Sequence, residues 1–399
     1  MIMMMNMMKE KIMIVKRMMT TIIKNKKKTL TTTTTTMMSK NQNHENTNNN
    51  KPYSVQSLQI RTCVGIYEQL YKQLPNIYPS SASSNFNKGV DLDIDYVDTT
   101  SNNQQQQTNS IKTIVAIHGI YGYHNHFDRL IKYFTNLNSK STTPVRVIVP
   151  NLPDFQHTRT SGGIYWNSTE ERLCFMIDLL KHLKVSQIDC LVCHSSGIQT
   201  ALAMWEASNS NSINPNIKSL AIIAPALRPN SKLWSTLHFL AYIRNEWWYR
   251  LLELVKIHRL ISKLFPLPFN TVNELLIVAN IFLQFEHNKS QMIKRINQLV
   301  KASSPPSNVV TKVAIVYGDK DSLLPNLIDE IRTQFQIEPN SSKIVIVDSD
   351  KKDFETTTDE PLEKQQDGRI TLYEVKNAGH MVHAKYSQFT GKLIENLIN

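Results

Sequence analysis

The stretch CHSSGI at residues 193–198 lies between an apolar run and a helical one, and it puts Ser195 where a nucleophile can sit. SxG alone is a weak signal, because Ser161 and Gly163 repeat it in a stretch that reads as loop. A serine hydroxyl at its ordinary pKa attacks poorly, so the chemistry also requires a general base and an acid that orients the base. Two further stretches offer them. The run KVAIVY leads into GDKDSLLP, with Asp321 three residues after Gly318, and the run ITLYEV leads into KNAGHMVH, with His380 directly after Gly379. Ser195, Asp321 and His380 together would transfer an acyl group: hydroxyl attacks carbonyl, imidazole takes the proton, carboxylate orients the imidazole. Asp319 is the alternative acid, one residue past Gly318 where the chain is still turning, and His383 is the alternative base. His194 is expected to support packing, since consecutive side chains on a tight turn diverge.

Attack on a carbonyl builds negative charge on its oxygen, which fixed donors must meet. AIHGIYGYHNHF ends an apolar run with His118 and Gly119 and then turns toward a helix. The backbone N–H of Ile120 or Tyr121 would there face the backbone N–H of Ser196, with His118, Gly119 and Gly197 supporting the turns.

These residues need strands to end beside one another. Strands are expected at 90–97, 113–118, 145–150, 188–193, 219–224, 312–317 and 370–375, most of them continuous apolar runs as in strands buried on both faces. Between them Phe127, Leu130, Ile131 and Phe134 keep helical spacing, as do Leu173, Met176, Ile177 and Leu180, a helix opened by the capping-box pair Ser168 and Glu171. Alternating strands and helices predict an α/β fold with a mostly parallel central sheet flanked by helices. Residues 1–52 read as a disordered basic extension and 53–227 as the first part of the core. Residues 228–305 read as an inserted helical cap, and 306–399 as the second part of the core with a polar insertion at 348–369.

The chain of 399 residues carries a formal charge of +12, but residues 1–50 hold nine Lys or Arg against Glu10 and Glu45 and so account for +7 of it. With no basic stripe and interleaved aromatics in the rest, nucleic-acid binding is not expected. No uninterrupted apolar run is long enough to span a bilayer, which points to the cytoplasm, with a mitochondrial presequence as the alternative for the acid-poor N-terminus. The four cysteines Cys63, Cys174, Cys190 and Cys193 make no disulfide framework and read as reduced core thiols. In the cap, Trp234, Trp247, Trp248 and Tyr249 stand among six Lys or Arg between 231 and 264. Such a face would hold an acyl chain, lean on a lipid or membrane surface, or bury the cap against the core.

Through HGIYG, CHSSG, GDKDSLLP and NAGH the chain resembles the α/β-hydrolase fold family over residues 90–399, insertions aside. HGIYGYHNHF and NSTEERLCF are similar to a poorly characterised branch of it. The family's order of nucleophile, acid and histidine is the order found here. Its nucleophile turn has small residues on either side of the serine; Cys193 stands here for the usual first glycine, and Ile198 for a glycine common after the motif. The resemblance implies a triad of Ser195, Asp321 and His380 acting on an acyl bond. Residues and resemblance together point to a serine hydrolase of the esterase or lipase kind, acting on a small acyl ester or thioester and needing no cofactor or metal. A noncatalytic binding or scaffold protein that keeps the fold is the alternative, motivated by Cys193 and Ile198.

Overall fold

A computed structural model describes residues 53–66, 88–100, 111–120, 122–138, 144–153, 159–162, 167–210, 215–227, 289–302, 312–321, 327–336, 344–347 and 370–399, with 258, 259, 275 and 278. The expected N-terminal extension, the polar insertion at 348–369 and most of the expected cap lie outside the described residues.

The strands are β1 (Val55–Thr62), β2 (Val90–Asp98), β3 (Lys112–Ile117), β4 (Val145–Pro150), β5 (Arg159–Gly162), β6 (Gln187–Ile188), β7 (Cys190–His194), β8 (Asn216–Ile217), β9 (Ser219–Ile223), β10 (Lys312–Gly318), β11 (Ile344–Val347) and β12 (Ile370–Val375). The helices are α1 (Asp128–Asn138), α2 (Thr169–His182), α3 (Gly197–Asn209), α4 (Lys289–Ala302), α5 (Leu327–Phe335), α6 (Val382–Lys385) and α7 (Ser387–Ile398). The main sheet runs β1-β2-β4-β3-β7-β9-β10-β12-β11, with β5 paired to β2 and a separate β6–β8 ribbon. It is parallel from β4 to β11, and antiparallel where β2 meets β1, β4 and β5.

Strand period explains the two layers. On β3 and β7, Val115, Ile117, Leu191 and Cys193 face one core, which also takes Phe175 and Leu179 from α2, Leu202 from α3, Ile296 from α4 and Phe335 from α5. Ile114, Ala116, Cys190 and Val192 face the other, with Phe127, Leu130 and Phe134 around α1, Val382 from α6 and Phe389 from α7. Each central strand is buried on both sides, which is why these strands read as unbroken apolar runs.

The chain leaves β3 through α1 to reach β4 on one side, and leaves β7 through α3 to reach β9 on the other. The two helices cover opposite faces. The carboxyl ends of β3 and β7 therefore flank a crevice between diverging connections, the place where open α/β sheets bind ligands.

Four details depart from the sequence expectation. The run 188–193 is split at Asp189, whose buried carboxylate accepts the Thr113 N–H at 2.8 Å and bonds Gln187 Nε2 at 2.9 Å and Lys218 Nζ at 3.1 Å, so β7 starts at Cys190. β1 is a polar edge strand whose outer residues pair across to the aspartates of β2: Ser57 with Asp95, Gln59 with Asp93, Arg61 with Asp91. Ser161 belongs to β5 and not to a loop. On α2, Leu173 and Ile177 are half-buried, and the inward positions go to Arg172, Phe175, Met176, Leu179 and Leu180. The reason is the helix start: Ser168 and Glu171 close a reciprocal capping box, and Arg172 donates to Gln199 Oε1 at 3.0 Å on α3, so the polar first turn is satisfied inside. Within the expected cap range, α4 packs on α3 and α5, and Arg295 Nε meets Glu206 Oε2 at 2.7 Å.

Candidate active site

Ser195 follows β7 directly and holds a φ of 54°, in the left-handed region that costs a residue with a side chain on the order of 1–3 kcal/mol. The surroundings impose it. Its N–H donates to the Ile223 carbonyl at 3.0 Å, and its carbonyl accepts from Ala226 at 3.2 Å and Ile198 at 3.3 Å. The side chain is partly exposed at the carboxyl end of the sheet. Two glycines make the turn fit. A Cβ on Gly197 would lie 2.8 Å from the Ile117 carbonyl oxygen and 2.9 Å from that of His118; one on Gly119 would lie 2.7 Å from Ser195 Cβ and 3.2 Å from its Oγ. Cys193 and Ile198 are fully buried in the core on the α3 face, so neither side chain intrudes on the turn.

The HGIYG turn is built on His118. Its buried ring donates from Nδ1 to the Gly119 carbonyl at 2.8 Å and accepts the Leu152 N–H on Nε2 at 2.8 Å, which fixes the tautomer. A Cβ on Gly122 would lie 2.7 Å from His118 Cβ and 2.8 Å from its ring Nδ1, so the second glycine of the motif makes room for the histidine that opens it. The Ile120 N–H donates to Ser196 Oγ at 2.9 Å, where a free backbone donor was expected; the Ser196 hydroxyl, one residue past Ser195, is in reach of an amide that needs a partner. Tyr121 lies outside the described residues.

The loops that carry Asp321 and His380 are stitched together. Asp319 N–H donates to the Val375 carbonyl at 3.2 Å and Lys320 N–H to that of Ala378 at 2.9 Å. Asp321 Oδ2 lies 2.7 Å from His380 Nδ1, with the Asp321 side chain 2% exposed. Asp319 instead faces Lys376 Nζ at 4.0 Å. His383 is buried against Phe127 and His194, with ring centroids 4.9 and 4.5 Å away. Gly318 permits the stitching, because a Cβ there would sit 2.2 Å from the Ala378 carbonyl oxygen. Gly318→Ala is thus expected to force the two loops apart, costing about 1–3 kcal/mol and lowering both the melting temperature and any turnover; an unchanged melting curve would contradict this.

His194 ties the backbone of the His380 loop to the turn that bears Ser195. Its Nε2–H donates to the His380 carbonyl at 3.1 Å, and its ring centroid lies 4.7 Å from that of His380. Ser195 is the next residue, so the Asp321–His380 pair sits beside the serine turn. The role of His194 goes beyond packing. Its position directly before the serine is the only sequence signal of it, because the partner is a backbone carbonyl 186 residues away.

Burial, reinforced by His383 and His380, holds His194 well below the usual histidine range. Burial likewise pushes His118 and His383 down to about 3. The folded protein keeps these rings neutral where the unfolded chain, titrating near 6.5, would bind protons. For His118 and His383 this contribution to stability is complete above about pH 6.5 and is lost as pH falls from there toward 3, by about 1.4 kcal/mol per pH unit for each ring, and His194 acts in the same direction. Urea midpoints measured at pH 7 and pH 5 should fall accordingly, and equal midpoints would contradict the buried neutral rings.

A doubly covered, mostly parallel sheet with a strained serine turn at its switch point defines an α/β hydrolase. More narrowly, the chain belongs to the family described as alpha/beta hydrolase of unknown function (DUF1057), whose model matches residues 75–399. No curated protein matches it. Among solved structures it is similar to a thermophilic esterase from Thermogutta terrifontis, at 15% identity and a TM-score of 0.46, over 76% of this chain and 92% of that one. It is also similar to a structure from a study of carboxylesterases of the thaumarchaeon Nitrososphaera gargenis, at 16% identity and 0.44, over 76% and 95%. An enol-lactonase from Burkholderia xenovorans LB400 is similar at 11% identity and 0.46, over 77% and 96%.

Proposed function

We propose that the protein cleaves a carboxylic ester or thioester through an acyl-enzyme on Ser195. One geometry carries the reading: Asp321 holds His380 Nδ1 at 2.7 Å, in a loop tied through His194 to the turn that bears Ser195. With Nδ1–H given to the carboxylate, His380 Nε2 is the atom that takes the serine proton, and Asp321 stabilises the resulting cation. The attacked carbonyl oxygen becomes an oxyanion met by backbone N–H groups of Ser196 and of Ile120 or Tyr121. The Ile120 N–H, paired with Ser196 Oγ at rest, turns to the charged and therefore stronger acceptor. His380 then protonates the departing alcohol or thiol. Water, deprotonated by the same imidazole, attacks the acyl carbonyl and releases the acid.

The test is hydrolysis of p-nitrophenyl esters and acyl thioesters of graded chain length by wild type and Ser195→Ala. Turnover of at least one substrate that disappears in the variant supports the proposal. A folded wild type inert toward the whole series would favour a noncatalytic binding protein.

A further inference from the structure

A second pair of chemically competent side chains lies away from this site, where β1 ends against α2. Cys63 follows Thr62 at a φ of 61° and is 1% exposed. Its Sγ lies 3.6 Å from the Glu171 carbonyl oxygen in the first turn of α2. Helical side chains tilt toward the helix N-terminus, so Cys174, three residues on, covers that same turn. The two thiols lie against the same first turn of α2, near enough to perturb one another, and both are free. Their surroundings differ: Cys63 is buried, which raises its pKa well above the ordinary thiol value, whereas Cys174 is partly exposed. Cys190 and Cys193 make no such pair, because they point to opposite faces of β7.

We propose that Cys63 and Cys174 form a reversible disulfide that clasps the β1–β2 hairpin to α2. The oxidant is a small-molecule disulfide of the glutathione class. The Cys174 thiolate attacks one of its sulfurs and expels one thiolate, leaving a mixed disulfide on Cys174. Cys63 then gives its proton to the departing glutathione sulfur and attacks Cys174 Sγ, which releases the second thiol. Two protein thiols are oxidised by two electrons, and one disulfide is reduced to two thiols. The clasp reinforces a contact already present, since Thr62 Oγ1 donates to Asp178 Oδ2 at 2.6 Å on α2. It also closes a long chain loop, for which a cross-link restricts the unfolded state strongly.

The full-length protein is incubated with oxidised glutathione, alkylated, digested without reduction and mapped by mass spectrometry, with melting temperature measured in parallel. The expected product is one peptide pair joined through Cys63 and Cys174, lighter by two hydrogen atoms than the separate peptides. Its melting temperature should rise by several degrees and return on reduction. Cys174→Ser should lose both the cross-link and the increment, and Cys63→Ser should leave Cys174 carrying glutathione. A folded wild type in which Cys174 stops at the mixed disulfide, or in which both cysteines are recovered alkylated, would overturn the proposal.

Discussion

Ser195→Ala is expected to lower ester or thioester turnover by roughly 10⁴–10⁶-fold while leaving the protein folded. The turn is held by backbone bonds to Ile223, Ala226 and Ile198, all of which alanine keeps. Only the hydroxyl proposed as the attacking group is lost. The change in stability should stay within about 1 kcal/mol, as for substitutions that leave packing and backbone bonds alone. The residue of activity would come from the oxyanion donors and from substrate positioning, which do not need the hydroxyl. Initial rates together with a melting curve check both halves. A variant that melts like wild type and keeps more than a tenth of its rate would place the nucleophile elsewhere.

Asp321→Asn is expected to have the next largest effect, about 10⁴-fold on kcat with a smaller change in KM. The buried carboxylate accepts the Nδ1–H of His380 at 2.7 Å. An amide presents either an uncharged oxygen or an NH₂ group there. With NH₂ facing the ring, Nδ1 becomes the acceptor and the ring proton moves to Nε2, the atom that must be bare to receive the serine proton. Asp319→Asn serves as the comparison, because Asp319 faces Lys376 and not His380. The expected result is a loss in Asp321→Asn with Asp319→Asn near wild type, and the reverse order would transfer the acid role.

Much of the frame is readable from residue order, because strands buried on both faces must be apolar throughout: 145–150 and 370–375 coincide with β4 and β12. β1 is harder to see, since an edge strand with one solvated face alternates weakly and its pairing partners are the aspartates of β2. The break at Asp189 is hidden for a different reason: one buried carboxylate ends a strand only because Thr113, Gln187 and Lys218 converge on it, and none of those contacts is local except Gln187. At the site, the glycines of HGIYG and CHSSG are legible as turn positions, although not which atoms they make room for. Gly122 yields to the His118 ring, Gly119 to Ser195 and Gly197 to two carbonyls. The pairing of the Ile120 N–H with Ser196 Oγ and the bond from His194 to the His380 carbonyl join segments 76 and 186 residues apart, and spacing carries no trace of either.

The most direct measurement is labelling of the full-length protein with a fluorophosphonate, followed by mapping of the modified peptide. The probe reacts readily with a serine whose hydroxyl a neighbouring general base activates and whose surroundings supply donors to the phosphoryl oxygen. One adduct is expected, on Ser195, absent from Ser195→Ala and strongly slowed in His380→Ala. A correctly folded wild type that stays unlabelled, or an adduct on any other serine, would contradict it.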